Sequence, residues 1–526
     1  MGENSLDERG GVAENASRLF ASLMVQWNHG RSLIRLKISR LNQTQRRLQH
    51  QARLRVDDAL KGIELMVCRS MITISGVLVL LIGCSGGESP QEDPTTAPPT
   101  RSMAQQAYVK ASNTDADDGF GGRIALDGDT LVVGASSEDT SVPNSGAVYV
   151  FIRSNRGWTQ QAYLKASNAV AGDGFGGSVA LAGNTLAIGA PFKDSGAGAV
   201  YVFTRRNGVW TEEASLKASN TEAPDNFGGG VALVGDTLVV GAPFEDSNAT
   251  GINDNDKQSN NEAVDSGAVY IFTRSSGAWT QQAYVKASNT GAFDGFGGPL
   301  AFAGNTLVVG ASGQDTDGTN SGAVYVFTRS VANGVTTWSQ QAFLKATNVK
   351  AGEQFGASVT LSGDTLAVGA PAPPNPGNSA GGSGTVYVFT RNGTTWAQQA
   401  EVKASNAAVL DEFGRSVALD GEMLVVGAPG EDSSAVGIND NGKQGDNNAP
   451  NSGAAYVFRR TNGVWTQQAY VKASNTESGD NFGGRVAVDG STLAIGAAGE
   501  DSSATGMNGP ETNNDAPQSG AVYVMQ

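Results

Sequence analysis

From residue 104 to the C-terminus the chain repeats one unit seven times, and nothing else in the sequence restricts the fold as much. A Phe-Gly (once Phe-Gly-Ala or Phe-Gly-Arg, otherwise Phe-Gly-Gly) recurs at Phe120, Phe175, Phe227, Phe296, Phe355, Phe413 and Phe482, at spacings of 52 to 69 residues. Self-similarity on this scale belongs to solenoids, propellers or arrays, whose units cannot bury their apolar face alone. Each unit holds four short β-favouring runs bounded by Gly, Asn, Asp or Ser. In the second copy they are Ser178 to Leu181, Thr185 to Gly189 and Ala199 to Phe203, with Gln160 to Lys165 as the last run of the copy before. Ala-Gly-Asn or Asp-Gly-Asp joins the first two runs, which is tight hairpin chemistry. No long stretch after residue 100 has a helical period. The predicted fold class is all-β: a seven-bladed β-propeller of four-stranded antiparallel blades.

The ends predict how the ring closes. The last copy stops at Gln526 after its third run, while a spare fourth run, 105–111, precedes the first copy. The N-terminal strand is therefore expected to complete the seventh blade and remove the exposed edge. Six tryptophans, from Trp158 to Trp465, recur once per unit and are expected to pack between blades. The acid ahead of each Phe-Gly (Asp118, Asp173, Asp225, Asp294, Asp411 and Asp480, with Glu353 once) is expected to cap the turn into the first strand. The lysine of the recurring Lys-Ala-Ser-Asn (Lys110, Lys165, Lys217, Lys286, Lys403, Lys472) is read as an exposed strand end paired with nearby acids.

Phe-Gly followed by Gly-Ala-Pro, as at 189–191, 241–243, 369–371 and 427–429, resembles the FG-GAP repeat. That repeat builds the seven-bladed head of integrin α subunits and many bacterial surface proteins. The resemblance covers 104–526 and implies a binding or adhesion module. Integrin repeats often carry an Asp-x-Asp-x-Asp-Gly calcium loop between the first two strands. Here that hairpin is only 126–130 or 181–185, too short to supply six to eight oxygens, so calcium on that face is not expected.

Charge and residue usage narrow the function. Residues 1–83 carry a net charge of +5 and the remainder −20, which argues against nucleic acid and anionic lipid as partners. No His or Cys lies beyond Cys84. This removes a Ser-His-Asp triad, a thiol nucleophile, an ordinary zinc site and a disulfide from the body. The organisation read from the sequence has four parts. Residues 1–65 are a basic, helix-capable extension, either translated or preceding the true start at Met66 or Met71. Residues 66–84 resemble a lipoprotein signal peptide ending in a lipobox, with Cys84 as the lipid-bearing position. Residues 85–100 form a Pro/Ser/Thr-rich tether, and 101–526 the propeller. This predicts a monomer lipid-anchored in a bacterial cell envelope, at the outer membrane or cell surface.

Alternating strands put the loops between second and third strands, and those between blades, at one end of the ring; the hairpins fall at the other. Three loops between second and third strands are long: 245–266, 431–452 and 500–519. Variable loops on a rigid scaffold are where binding usually resides. Their carboxylates, Asp246, Asp254, Asp256, Asp432, Asp440 and Asp501, are candidates for ligand or Ca²⁺ binding, with solvated polar loops held by Asx-turns as the alternative. The expected ligand is protein or glycan and no catalytic residue is assigned. The alternatives are a sialidase-like glycoside hydrolase and a structural envelope protein.

Overall fold

The computed structural model describes residues 103–374 and 378–526, with two short strands, Ile72–Ile74 and Val77–Val79, paired as an antiparallel hairpin. The extension 1–65, Cys84 and the tether 85–100 lie outside the described residues. Residues 101–526 form one compact unit. Among the described residues no helix is long and apolar enough to cross a membrane.

The unit is a propeller of seven four-stranded antiparallel sheets. Blade one consists of Arg123–Asp127, Thr130–Ala135, Ala147–Ser154 and Gly157–Leu164. The innermost strands of the next six blades are Ser178–Ala182, Gly230–Val234, Leu300–Ala303, Ser358–Ser362, Ser416–Asp420 and Arg485–Asp489. Each touches the innermost strand of both neighbours, the seventh touching the first, so the ring is closed. The third and fourth strands run longer than the apolar pattern suggested. In blade two the pairing continues through Thr204 to Arg206, into an Asn207-Gly208 hairpin with both residues at positive φ (51° and 82°).

Closure follows the sequence expectation. Gln105–Val109 pairs antiparallel with Ala521–Met525 as the outer strand of blade seven.

What holds blades together explains the repeat itself. The glycine that follows each Phe lies against the Gly of Gly-Ala-(Pro/Ser/Ala) in the preceding blade. A Cβ on Gly241 would sit 1.9 Å from the carbonyl oxygen of Gly297, and one on Gly427 1.8 Å from that of Gly483. The same approach occurs at Gly134–Gly176, Gly189–Gly228, Gly310–Gly356, Gly369–Gly414 and Gly496–Gly121, which completes all seven seams. The Phe beside it is fully buried in every copy and meets the third strand's Tyr edge-on, as Phe120 meets Tyr149 at 5.2 Å. The apolar core is accordingly seven clusters, each shared by two neighbouring blades.

The outer seam is polar. In every blade the pairing of third and fourth strands shifts by one residue. The bulged residue is the second of the Gln-Gln pair (Glu213 in blade two). A bulge re-aims a side chain. Gln161, Gln282, Gln341 and Gln399 each accept a hydrogen bond from the Trp Nε1 of the following blade, at 2.8–3.2 Å. An Arg of the third strand stacks on each Trp, as Arg205 does on Trp210 at 5.0 Å, and reaches back to a Thr of the preceding blade. The Trp residues thus pack between blades as expected. Arg153 of blade one reaches Thr492 of blade seven, carrying this stitch across the closure.

Deleting 101–112 removes the closing strand and leaves Ala521–Met525 with an unpaired edge. The truncated ring is expected to melt well below the full chain in a thermal scan; an unchanged melting temperature would refute closure by this strand.

Candidate functional site

The loop end of the ring is built over a buried polar network that the sequence reading misplaced. In blade three, Lys286 Nζ donates to Glu245 Oε2 (2.6 Å) and to Ser266 Oγ (2.7 Å). Tyr284 Oη donates to Glu245 Oε1 at 2.8 Å, and Asn220 Nδ2 of the preceding blade donates to the same oxygen at 3.0 Å. Blade six repeats this with Lys472, Glu431, Ser452, Tyr470 and Asn406. Blade seven repeats it with Lys110, Glu500, Ser519, Tyr108 and Asn475. These three lysines are 0% exposed, not exposed strand ends. Burial draws their pKa values below that of free lysine even with a carboxylate alongside.

Exposure of the lysine tracks the loop above it. Where that loop is short, Lys165 is 18% exposed and Lys345 is 11%. In blade two a lysine replaces the Glu: Lys193 occupies that position and pairs with the capping acid Asp173 at 2.8 Å, while Lys217, 45% exposed, pairs with Asp194. In blade five Lys403 is 56% exposed and pairs with Glu401. The exposed reading holds for Lys217 and Lys403 alone.

The long loops do the covering. Ile252 bridges Val285, Ile438 bridges Val471 and Met507 bridges Val109, each a short antiparallel addition to the outermost strand of its own blade. The Asn that follows sits in the left-handed region (φ 58°, 59° and 52°) and accepts the amide of Tyr284, Tyr470 or Tyr108 at 2.9 Å. Gly-Ile-Asn or Gly-Met-Asn in all three loops is the signal that could have revealed this.

The candidate carboxylates serve those loops. Asp246, Asp432 and Asp501 each accept one backbone amide, from Asp265, Asn451 and Gln518, at 2.8 Å. Asp254 accepts the Thr250 amide at 3.2 Å, Asp440 accepts the Lys443 amide through its carbonyl at 3.3 Å, and Asp256 is exposed. The structure does not bring the six together. Among the described residues no three His, Cys, Asp or Glu side chains gather as metal ligands would. The geometry is that of polar loops pinned by side-chain turns.

The acids ahead of Phe-Gly cap turns as expected, each accepting the amide three residues earlier: Asp118 from Asp115, Asp225 from Glu222, Asp411 from Ala408 and Asp480 from Glu477. Burial raises Asp118, Asp225, Asp411 and Asp480 to about 7 and Asp294 to about 6, the capping amide only partly offsetting it. Glu138 differs: burial pushes it up, but bonds from Lys165, Thr140 and Tyr163 outweigh that and hold it below the ordinary value.

The loop end also carries apolar residues in the open. Val170, Phe192, Phe244, Val264, Phe293, Val409, Leu410 and Val436 are all exposed there, Phe293 at 64%. The position before the capping acid takes positive φ in most blades and is glycine in three. Phe293 and Leu410 hold that conformation (66° and 78°) without being glycine. For a bulky residue this is strained. The Phe293 amide donates to the Val264 carbonyl, setting two exposed apolar residues side by side. The exposed pair carries no polar group, so a search among titratable side chains passes over it.

The FG-GAP repeat family model matches at 103–151, 158–203, 210–272, 279–327, 338–389, 396–458 and 465–525, and the chain belongs to that family. No curated protein matches the chain. Among solved structures, the crystal structure of Saccharomyces cerevisiae Sqt1 resembles it with a TM-score of 0.40 at 10% identity, over 80% of this chain and 98% of that one.

Two outcomes are expected. Lys286→Met strands a buried carboxylate and should cost about 3–5 kcal/mol, against less than about 1 kcal/mol for Lys217→Met in its exposed pair, read by urea unfolding. The raised carboxyls bind protons in the folded ring between about pH 4 and pH 7, where the unfolded chain has released them. Stability should therefore fall as pH rises through 7, by up to about 1.4 kcal/mol per pH unit for each group. Asp411→Asn keeps the amide acceptor and should flatten that slope between about pH 4 and pH 7; a slope that rises instead would mean these acids are ionised in the fold.

Proposed function

We propose that this protein is a binding module, lipid-anchored through Cys84 outside the cytoplasm, that holds a protein or glycan ligand on the loop end of its propeller. The observation that carries this is the strained, exposed pair Phe293 and Leu410, which interrupts an otherwise glycine-compatible turn. Backbone strain at an exposed apolar side chain lowers stability without any return inside the ring. Exposed apolar groups on loops held by a rigid scaffold are ordinary ligand-contact chemistry. Phe192, Phe244, Val264 and Phe293, from blades two to four, are exposed at the same end.

The binding reading is preferred to a glycosidase because the buried carboxylates at this end are committed to turns, loops and lysines. An acid–base pair needs carboxylates free to face a substrate. Family membership supports a scaffold of this kind, and the acidic surface disfavours nucleic acid.

Phe293→Gly and Leu410→Gly test the idea directly. Each relieves strain, so the melting temperature of the purified ring should hold or rise, while retention on intact envelope fragments or a glycan array falls by about 10-fold or more, as expected for a lost apolar anchor. Retention equal to the unaltered ring would reject this surface as the contact.

A further inference from the structure

Three arginines meet at the loop end of the central channel. Arg123 and Arg485 open the innermost strands of blades one and seven, and Arg415 immediately precedes that of blade six. These blades are consecutive round the ring, and their innermost strands touch. The positions are not part of the repeat. Where Arg123 and Arg485 stand, the other blades have Ser178, Gly230, Pro299, Ser358 and Ser416; where Arg415 stands, they have Gly, or Ala357 once. The three line a cavity of about 300 Å³ with Glu412, Asn481 and the backbone of Gly121 and Gly484. That is the small end of the usual range of ligand pockets, roughly 300–1,000 Å³.

The charges in the cavity are unbalanced. Arg415 faces Glu412 at 3.8 Å. Arg123 and Arg485 each donate once, to the carbonyls of Gly122 and Gly484 at 2.7 Å, and neither has a carboxylate within 4.0 Å among the described residues. Burial, followed by repulsion from Arg415, lowers Arg123 to about 10; repulsion from Arg123, followed by burial and by Arg415, holds Arg485 well below the ordinary arginine value. Like charges held together in a partly enclosed site repel one another and work against the fold.

We propose that this cavity binds a tetrahedral dianion, a phosphate or sulfate group, either free or as the end of a larger molecule. Planar guanidinium forks match such oxygens bidentately. Three forks on adjacent strands converge on a single small volume, and Glu412 opposes only one of them. The site does not depend on the proposed apolar contact: it lies apart from Phe293, and Leu410, two residues before Glu412, is not among its lining residues.

The test is thermal melting and calorimetry of the full chain with inorganic phosphate, sulfate and a phosphate monoester such as glycerol phosphate, against chloride at equal ionic strength. The comparison is Arg123→Ser with Arg485→Ser, the residue that blades two, five and six already carry there. The unaltered chain should melt higher in phosphate or sulfate. The double variant should melt at least as high in chloride and lose the anion-dependent rise, with affinity weakened at least about 10-fold, as two charge-assisted contacts warrant. Binding of inorganic phosphate alone would identify a free anion, and binding of the monoester as well a conjugated one. Absence of any shift, or an equal shift in the double variant (the general stabilisation such salts give any protein), would overturn the proposal.

Discussion

The contact on which the ring depends is the one between glycines of adjacent blades. Gly297 rests its carbonyl where a side chain on Gly241 would be, and each of the seven seams repeats that approach. Neither glycine can be exchanged without pushing two sheets apart, because what a Cβ would strike is backbone, which cannot swing aside as a side chain can. This close approach brings the buried Phe edge-on to the Tyr of its own third strand while its backbone runs beside the preceding blade: Phe175 meets Tyr201 at 5.5 Å and bridges Gly146. The two halves of the repeat motif are thus the two sides of one interface. A blade by itself would leave half of each apolar cluster in water, so the ring closes or does not form.

Further out, the same seam becomes polar, and the polar parts depend on one another. The Arg–Thr pairs run from blade to blade, and at the seam of blades six and seven Met423 stands where other blades place the accepting Thr. The Trp–Gln pairs lapse at the seam of blades two and three: Glu213 replaces the Gln and takes Arg274, and Trp279 Nε1 is buried without a partner. At the loop end, Lys193 stands where other blades have Glu and pairs with Asp173, the capping acid that nearly every blade keeps, while Lys217 turns to Asp194 nearer the surface: a buried charge is kept where a partner is at hand.

The repeat, the four strands per blade and the closing strand were all legible, because hairpin chemistry and apolar alternation are local properties of the chain. The bulge at the second Gln was not, since a bulge is a relation between two strands and both glutamines look alike in a period-two pattern. The burial of Lys286 was missed for a related reason. Lys286 and Lys403 follow the same strand and precede the same Ala-Ser-Asn, yet one is enclosed and the other open. The difference lies in a loop tens of residues away: Gly251 to Asn253 folds over the former, and the latter has no counterpart among the described residues. Asp246 and Asp432 stay open between ligand binding and loop turns in the sequence for the complementary reason, because the amides that occupy them lie nineteen residues further along.

A ring with sevenfold repetition presents the same surface seven times, and a single ligand of ordinary shape needs something that occurs once. The informative residues are therefore those that break the symmetry, and they are not evenly spread. The hairpin end keeps two-residue turns, with blade four's outer hairpin longer (Ala323–Ala332 and Val335–Leu344) and several neighbouring turns joined by bonds such as that from the Gly183 amide to Asp127. The departures that cost stability lie at the other end: Phe293 and Leu410 where glycine would suffice, and Arg123, Arg415 and Arg485 where other blades keep serine, glycine, proline or alanine. Each departure works against stability, the first two through backbone strain and the arginines through mutual repulsion. Three long loops at that same end are spent on covering lysines, so loop length alone does not mark a site here. Residues that cost stability at one end of an otherwise self-consistent ring mark it better, because folding gives no reason to keep them.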